Sequence, residues 1–478
     1  MLSRRSKKKA ATEVSNLSDG QPGGRLGLPP MQGPLVPASM RARLAQPAPS
    51  TTRQTAILNL AMFAAPTSNE SVLIGRDRLA GALVAHDPFT AYAAGDITSP
   101  NVVNLGVIGS GKSSLNKTVY CLRPLILRDR RGLIMDRKPR GDEGEYAEVV
   151  RHFGGDSFRM TLDGEGTRLN LLDPVILNGA GPEAQFRLLR AMAEIARGDD
   201  APLSTWQLKA LRLARSEALR TAESRGRVPV LDDLVAKLGV VDEATRNHGG
   251  IADASPEALE RLHQSGLELR FIFEAAVQDE LAGLFDGETS SNVKLNSLLT
   301  SFDVSQLPED GPSVPMVVAA ANTWLMGMLH QHSQHRRPMR TTFLAEEGWH
   351  LIQGPGAWMM RANQKLARAL GLSNVFTIHH IGDVPENSVG MSLLREAQTI
   401  HIYRQERADD IEACIRMYGL GTGAEETLPN LDQGEHLLKI GNRPEVRVQH
   451  LRSPLEEMLT DTNEAMLASD PAVLRKVG

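Results

Sequence analysis

The fold of this chain is decided by residues 102–113, which read Val102-Val103-Asn104-Leu105-Gly106-Val107-Ile108-Gly109-Ser110-Gly111-Lys112-Ser113. The last eight match the phosphate-binding loop pattern G-x-x-x-x-G-K-[ST]. Glycines let such a loop turn tightly, so that successive backbone N–H groups point inward at a polyphosphate. The lysine of the pattern reaches the β- and γ-phosphates, and the final hydroxyl can ligate Mg²⁺. We therefore predict a site for ATP and Mg²⁺ formed by Gly106, Gly109, Ser110, Gly111, Lys112, Ser113 and Ser114.

The sequence on either side of this loop predicts a strand, the loop and then a helix. Val102–Leu105 is an apolar run typical of a short buried strand. Apolar residues follow the loop at helical spacing, at Leu115, Val119, Leu122 and Ile126. Further strands are predicted at 132–136, 297–304, 341–345, 374–379 and 399–403, with hairpins at 71–88 and 436–450 and a buried helix at 314–329. Strands that alternate with helices indicate an α/β fold with a parallel sheet.

Composition narrows the class of protein. The 478 residues carry a net charge of −4, so the molecule as a whole is not a cation built to bind polyanions. The two cysteines, Cys121 and Cys414, are too few for a disulfide framework and fit a reducing compartment. The longest apolar run, Val314–Leu329, is short and interrupted for a membrane span. We expect a cytoplasmic protein without a signal peptide.

Five regions are predicted along the chain. Residues 1–55 form a disordered basic tail, with eight Lys/Arg against two acids up to residue 50. The alternative for this tail is a basic arm for nucleic acid or an anionic membrane surface. A β lead-in at 56–95 precedes a nucleotide-binding core at 96–178 and 291–452. A helical insertion at 179–290 interrupts the core, and its residues Ser204 and Gln207 predict a helix capping box. Residues 453–478 form a C-terminal tail.

A second chemical site is predicted where two glutamates end an apolar strand. Glu346 and Glu347 follow Thr342–Ala345, and a phosphate loop needs carboxylates that hold Mg²⁺ and orient water. The alternative is an ordinary solvated pair of acids. His379 and His380 end another strand, where a polar residue can sense the γ-phosphate, or they simply finish that strand. Three further histidines, at 330, 332 and 335, are more typical of an exposed helix end than of a metal site.

Taken together, these motifs resemble the ATPases that power conjugative DNA transfer and type IV secretion, the VirB/TraC-type branch of the HerA–FtsK superfamily. The resemblance covers about residues 72–176 and 280–450. Besides the loop, its specific pieces are Val72–Asp77, Asp87–Phe89, Pro100–Gly106, Asp136–Lys138, Gly144–Tyr146, His152–Gly155, Arg168–Pro174 and Glu346–Ile352.

The resemblance implies a RecA-like motor that assembles as a hexamer with ATP between subunits. In that family pattern Glu346 takes the place of the metal-side Asp, and Glu347 takes that of the water-orienting Glu. His380 lies near the position of the family's sensor Gln. Arg404 is the candidate arginine finger, with Arg395 and Arg407 as alternatives. The chain departs from the pattern in having Glu for Asp at 346 and histidines in place of the sensor amide. A large amino-terminal domain is expected to be absent or encoded separately.

The expected function is ATP hydrolysis that energises conjugative DNA transfer or type IV secretion, by moving substrate or assembling a channel. Expected partners are further copies of the chain, channel proteins and DNA, with a peripheral contact at the inner face of the cell membrane. Two alternatives remain open. One is an FtsK-like DNA translocase or coupling protein. The other is an assembly factor that binds ATP and hydrolyses it slowly.

Overall fold

The computed structural model describes residues 71–198, 201–275, 281–308, 311–335, 339–346, 369–386 and 388–460. Its strands are β1 (Leu73–Asp77), β2 (Leu83–Ala85), β3 (Val102–Leu105), β4 (Arg130–Asp136), β5 (Pro139–Arg140), β6 (Glu143–Gly144), β7 (Asp156–Arg159), β8 (Leu299–Asp303), β9 (Arg340–Ala345), β10 (Leu372–Ile378), β11 (Thr399–Ile402), β12 (Glu435–Ile440) and β13 (Val446–His450). The predicted tail at 1–55 and residues 461–478 lie outside the described ranges.

The helices connect these strands and cover both faces of the sheet. They are α1 (Pro88–Ala94), α2 (Lys112–Leu115), α3 (Ala147–His152), α4 (Pro182–Arg197), α5 (Thr205–Ser224), α6 (Leu231–Val235), α7 (Glu243–His248), α8 (Pro256–Glu274), α9 (Ser313–His335), α10 (Val389–Glu396), α11 (Ala408–Tyr418), α12 (Ala424–Thr427) and α13 (Pro454–Thr460). Within the described ranges, no helix is both long and apolar enough to span a membrane.

Eleven of the described strands form one sheet in the order β2-β1-β13-β12-β11-β3-β10-β9-β4-β8-β7. From β11 to β7 neighbouring strands are parallel, whereas β12, β13, β1 and β2 are joined by antiparallel pairing. Strand β3 lies between β10 and β11 and is parallel to both. The predicted α/β class with a parallel sheet is confirmed.

Strand β3 separates two hydrophobic cores because its side chains alternate between the faces of the sheet. Val103 and Leu105 belong to the larger core, which includes α9. Val102 belongs to the smaller core, together with Leu115 and Val119 from the segment after the loop. All four residues of β3 are buried, as a central parallel strand requires. The loop after β3 therefore starts from a rigid position at the carboxyl edge of the parallel strands.

Among the described residues between β7 and β8, the regular elements are helical and include α4 to α8. The predicted capping box is confirmed, because Gln207 N donates to Ser204 Oγ at 3.2 Å and Ser204 N donates to Gln207 Oε1 at 2.9 Å. The helical insertion at 179–290, like the other region boundaries, stays a prediction.

The segment after the loop differs from a plain α-helix. Only Lys112–Leu115 is α-helical, followed by a π-helical stretch at Asn116–Leu122 and a 3₁₀ turn at Arg123–Ile126. Pro124 has no N–H for an α-helical bond, so the regular ladder cannot pass it. Ile126 consequently lies outside the core and is 82% exposed.

Candidate active site

The phosphate-binding loop is held against two neighbouring segments of the sheet. Val107 N donates to the carbonyl of Arg404 at 3.1 Å, and Gly434 N donates to the carbonyl of Ser110 at 2.9 Å. Gly106 has φ of +149°, and a Cβ placed there would lie 2.5 Å from Tyr403 Cβ. Gly106 is therefore needed where the backbone approaches Tyr403, whereas Gly109, with φ of +77° and open space around it, is needed for the turn itself.

Lys112 closes the loop on itself. Its side chain is buried, and Nζ donates to the carbonyl oxygens of Gly106 and of Val107, the latter at 2.8 Å. The ring of His379 lies on the same carbonyl, with Nδ1 3.3 Å from Gly106 O. Burial lowers the pKa of His379, and the nearby Lys112 cation lowers this pKa further. The ammonium group is thus already placed inside the loop before a phosphate arrives.

Glu346 ends β9 as a buried carboxylate whose two oxygens have different surroundings. Oε1 accepts hydrogen bonds from Asn116 Nδ2 at 2.8 Å and from the Tyr146 hydroxyl at 2.5 Å. Oε2 has no hydrogen-bond donor among the described residues and lies 3.9 Å from Lys138 Nζ. Lys138 Nζ also donates to Ser113 Oγ at 3.2 Å. The two residues predicted to hold the metal, Ser113 and Glu346, therefore lie on either side of one ammonium group.

Asn116 ties this carboxylate to the strands beneath the loop. Its Oδ1 accepts from Asn104 Nδ2 at 2.5 Å, and its Nδ2 also donates to Thr377 Oγ1 at 2.8 Å. Asn104 and Thr377 are buried in β3 and β10, and in each strand the residues immediately before and after them are apolar. These residues were not among those predicted for the site. A polar side chain within a predicted buried strand was the available signal, because such groups need partners.

Tyr146 links Glu346 to a second pair of acids, and it too was missed as a site residue. Its backbone N–H donates to Asp136 Oδ2 at 2.7 Å, while its hydroxyl reaches Glu346. Asp136 and Asp303 are register partners at the ends of β4 and β8. Burial raises the pKa of Asp136 well above its usual range, and the neighbouring Asp303 adds to this. A buried ion pair between Lys117 and Glu145, at 2.8 Å, lies beside this group.

The structure separates the two histidines that were considered as sensors. His379 lies on the loop, whereas His380 Nδ1 is 2.8 Å from Asp410 Oδ2. Asp410 borders a cleft of about 540 Å³, which is also lined by Arg395. His380 thus contacts a different part of the sheet edge from the loop.

The candidate arginines are all exposed, and the backbone of one of them contacts the loop. The backbone carbonyl of Arg404 accepts a hydrogen bond from Val107 N of the loop. The half-exposed guanidinium of Arg404 points elsewhere and lies 3.2 Å from the carboxylate of Glu406. Arg395 and Arg407 are both exposed. Glu347, the predicted water-orienting acid, lies outside the described residues.

The donor set at the loop suits Mg²⁺. The hydroxyl of Ser113 and the orphaned Oε2 of Glu346 are hard oxygen donors, and Mg²⁺ commonly takes one or two such protein ligands besides phosphates and water. Among the described residues, no group of three or more His, Cys, Asp or Glu could hold a metal alone. Of the three histidines at 330, 332 and 335, His332 lies within hydrogen-bond distance of its own helix, with Nδ1 2.7 Å from the carbonyl oxygen of Met328.

Comparison with protein-family models and with curated proteins found no match. Solved structures do match. VirB4 of Thermoanaerobacter pseudethanolicus has a TM-score of 0.64 and 21% identity, over 82% of this chain and 100% of that chain. The bacterial conjugative coupling protein TrwBdeltaN70 has a TM-score of 0.51 and 16% identity, over 81% of this chain and 91% of that chain. Plasmid coupling protein TrwB in complex with the ATP analogue ADPNP has a TM-score of 0.53 and 16% identity, over 82% and 91% of the two chains. This chain therefore shares its fold with VirB4 and TrwB, proteins of the kind that its sequence motifs resemble.

Proposed function

We propose that this protein is an ATP-hydrolysing motor that energises conjugative DNA transfer or type IV secretion. One observation supports this most. A phosphate loop with a buried lysine lies beside a hydroxyl and a carboxylate that face one cation position, in a fold shared with VirB4 and TrwB. That geometry is what an ATP–metal complex requires at the carboxyl ends of parallel strands.

Each residue of the site has a proposed role. The loop amides from Gly106 to Ser113 would cradle the phosphates, and Lys112 would exchange its loop carbonyls for phosphate oxygens. Ser113 and Glu346 would hold Mg²⁺, which supplies positive charge against the phosphate oxygens when bound. Asn116 and Tyr146 orient Glu346 by holding one of its oxygens. These contacts fix the carboxylate before nucleotide binds, which favours rapid chemistry.

Three further roles are proposed around this centre. Glu347, next to the metal-side acid, would orient the attacking water. His379 contacts the loop and is the histidine better placed to respond to a γ-phosphate. His380 contacts Asp410 instead, so any response of His380 to the nucleotide would be indirect. Arg404 would supply positive charge to the departing phosphoryl group of a neighbouring subunit. Because its carbonyl anchors its own loop, an action within the same subunit has to be tested as well.

The assembly and location are also proposals. We propose a hexamer that works in the cytoplasm, at the inner face of the membrane, with channel proteins and DNA as partners. The two buried free thiols fit a reducing compartment. The basic residues before position 50 would provide contacts to DNA phosphates or to anionic lipid.

Steady-state ATP hydrolysis, measured with and without DNA, tests this function. A motor of a secretion channel should turn over ATP without DNA, whereas a DNA translocase should be stimulated by it. Binding without turnover would instead indicate an assembly factor, an outcome that Glu346 in place of Asp keeps open. Failure of the parent protein to bind Mg²⁺–ATP, with the Lys112→Met variant as the matched negative control, would overturn the proposal.

A further inference from the structure

Lys138 occupies the space between the two residues proposed to hold the metal. Its Nζ donates to Ser113 Oγ at 3.2 Å and lies 3.9 Å from Glu346 Oε2. The Lys138 side chain is 34% exposed, whereas that of Glu346 is fully buried. The side chain of Lys138 is therefore partly open to solvent, while that of Glu346 is not.

The burial of Glu346 explains why a cation is needed there. An ionised carboxylate that is removed from water is costly unless it is paired and hydrogen-bonded. Asn116 and Tyr146 satisfy Oε1, but Oε2 receives no hydrogen bond from any described residue. Within the described ranges, the cation that faces this second oxygen is Lys138. The pair therefore balances charge at the position where Mg²⁺ would sit between Ser113 and Glu346.

We propose that Lys138 is a built-in counter-cation that fills the metal position until Mg²⁺–ATP displaces it. This inference rests on the proposed function, because it concerns the same site. A bare divalent ion would meet the ammonium charge at close range and bind poorly. A metal that arrives with a triphosphate brings negative charge with it, so the displaced ammonium gains a new partner. Lys138 thus makes the site select the metal–nucleotide complex over the free metal.

The test is a titration of the nucleotide-free full chain with Mn²⁺. Electron paramagnetic resonance measures the unbound ion and so gives the Mn²⁺ affinity. We expect Lys138→Met to bind Mn²⁺ about tenfold more tightly than the parent protein, because one like charge is removed from the site. Lys294→Met is the matched control, since Lys294 is exposed and precedes the amino-terminal end of β8, whereas the metal position lies beyond the carboxyl ends of the strands. The control should bind Mn²⁺ as the parent does.

A double-mutant cycle assigns the effect to this pair. In a Glu346→Gln background, Lys138→Met should leave Mn²⁺ affinity unchanged, because the carboxylate that the metal needs has gone. Parent-like Mn²⁺ binding by Lys138→Met, or an equal gain in the Glu346→Gln background, would overturn the inference. Circular dichroism establishes that each variant is folded, and Lys138→Gln gives the same readout if the methionine variant is not.

Binding of a fluorescent ATP analogue with Mg²⁺, measured on the same samples, separates this inference from the proposed function. If the parent does not bind the analogue, the function fails, whatever the Mn²⁺ result. If the parent binds the analogue but Lys138→Met shows no gain in Mn²⁺ affinity, only the role of Lys138 fails.

Discussion

Replacing Lys112 by methionine keeps the buried stem of the side chain and removes only its ammonium group. In the nucleotide-free protein this group donates to two loop carbonyls, those of Gly106 and Val107. With ATP bound, the same donors would face phosphate oxygens, which carry negative charge. The substitution therefore removes hydrogen bonds from both states, and the loss of affinity is the difference between them.

The size of that difference can be worked out. A hydrogen bond between a cation and an anion is worth about 3 kcal/mol, and one between a cation and a neutral carbonyl about half of that. Two such exchanges give a net loss of about 3 kcal/mol, which is about a hundredfold in Kd. Hydrolysis should be abolished, because the remaining nucleotide would lack its main side-chain counterion.

The assay is titration of a fluorescent ATP analogue in the presence of Mg²⁺. Thermal unfolding without nucleotide should show a folded Lys112→Met protein of slightly lower stability, since the loop carbonyls lose a donor. Lys294→Met, which removes an exposed lysine, should bind the analogue as the parent does. A folded Lys112→Met variant with a Kd within about threefold of the parent, or about 0.6 kcal/mol, would refute the assignment of the loop.

Three further outcomes are expected. Glu346→Asp should lower kcat at least about tenfold with little change in ATP affinity, because the shorter side chain moves the carboxylate away from the Tyr146 hydroxyl. Steady-state kinetics measures this change. The contribution of His86 and His436 to the free energy of unfolding should be complete above about pH 6.5 and fall as the pH drops towards 4. Burial lowers the pKa of His86 to about 4 and that of His436 to about 3, so the unfolded chain takes up protons that the folded chain cannot. Urea unfolding between pH 7 and 4 measures this, and a flat profile contradicts it. Arg404→Ala subunits that are mixed with Lys112→Met subunits should regain ATP hydrolysis, because Arg404 of one subunit would act on ATP bound by its neighbour. If mixed oligomers form but do not regain hydrolysis, this role of Arg404 is excluded.

Much of the fold could be predicted because buried strands are short stretches rich in apolar and β-branched residues. The predicted strand at 399–403 became β11 at Thr399–Ile402, and the one at 341–345 became β9 at Arg340–Ala345. Strand β7, at Asp156–Arg159, was missed because only its Phe158 is buried. An edge strand with one buried residue has no pattern that distinguishes it from a loop.

The contacts between distant residues could not be read from the sequence. Tyr146 and Glu346 are 200 positions apart and meet because β4 and β9 are neighbours in the sheet. That order is set by three-dimensional packing, and many strand orders would fit the same apolar runs. The choice between His379 and His380 depends likewise on register, since Ile378 pairs with Leu105 and so places the next residue beside the loop.

The buried network under the loop gives a physical reason for glutamate at position 346. The carboxylate must reach the Tyr146 hydroxyl and the Asn116 amide while its other oxygen faces Ser113 across Lys138. An aspartate is shorter by one C–C bond, about 1.5 Å, and at that distance it could not keep a 2.5 Å contact with the hydroxyl unless the backbone moved. The tyrosine and the glutamate therefore form one unit, in which the donor fixes the longer side chain. A side chain held in this way keeps the same oxygen directed at the cation position, which is what a metal site needs from a flexible residue.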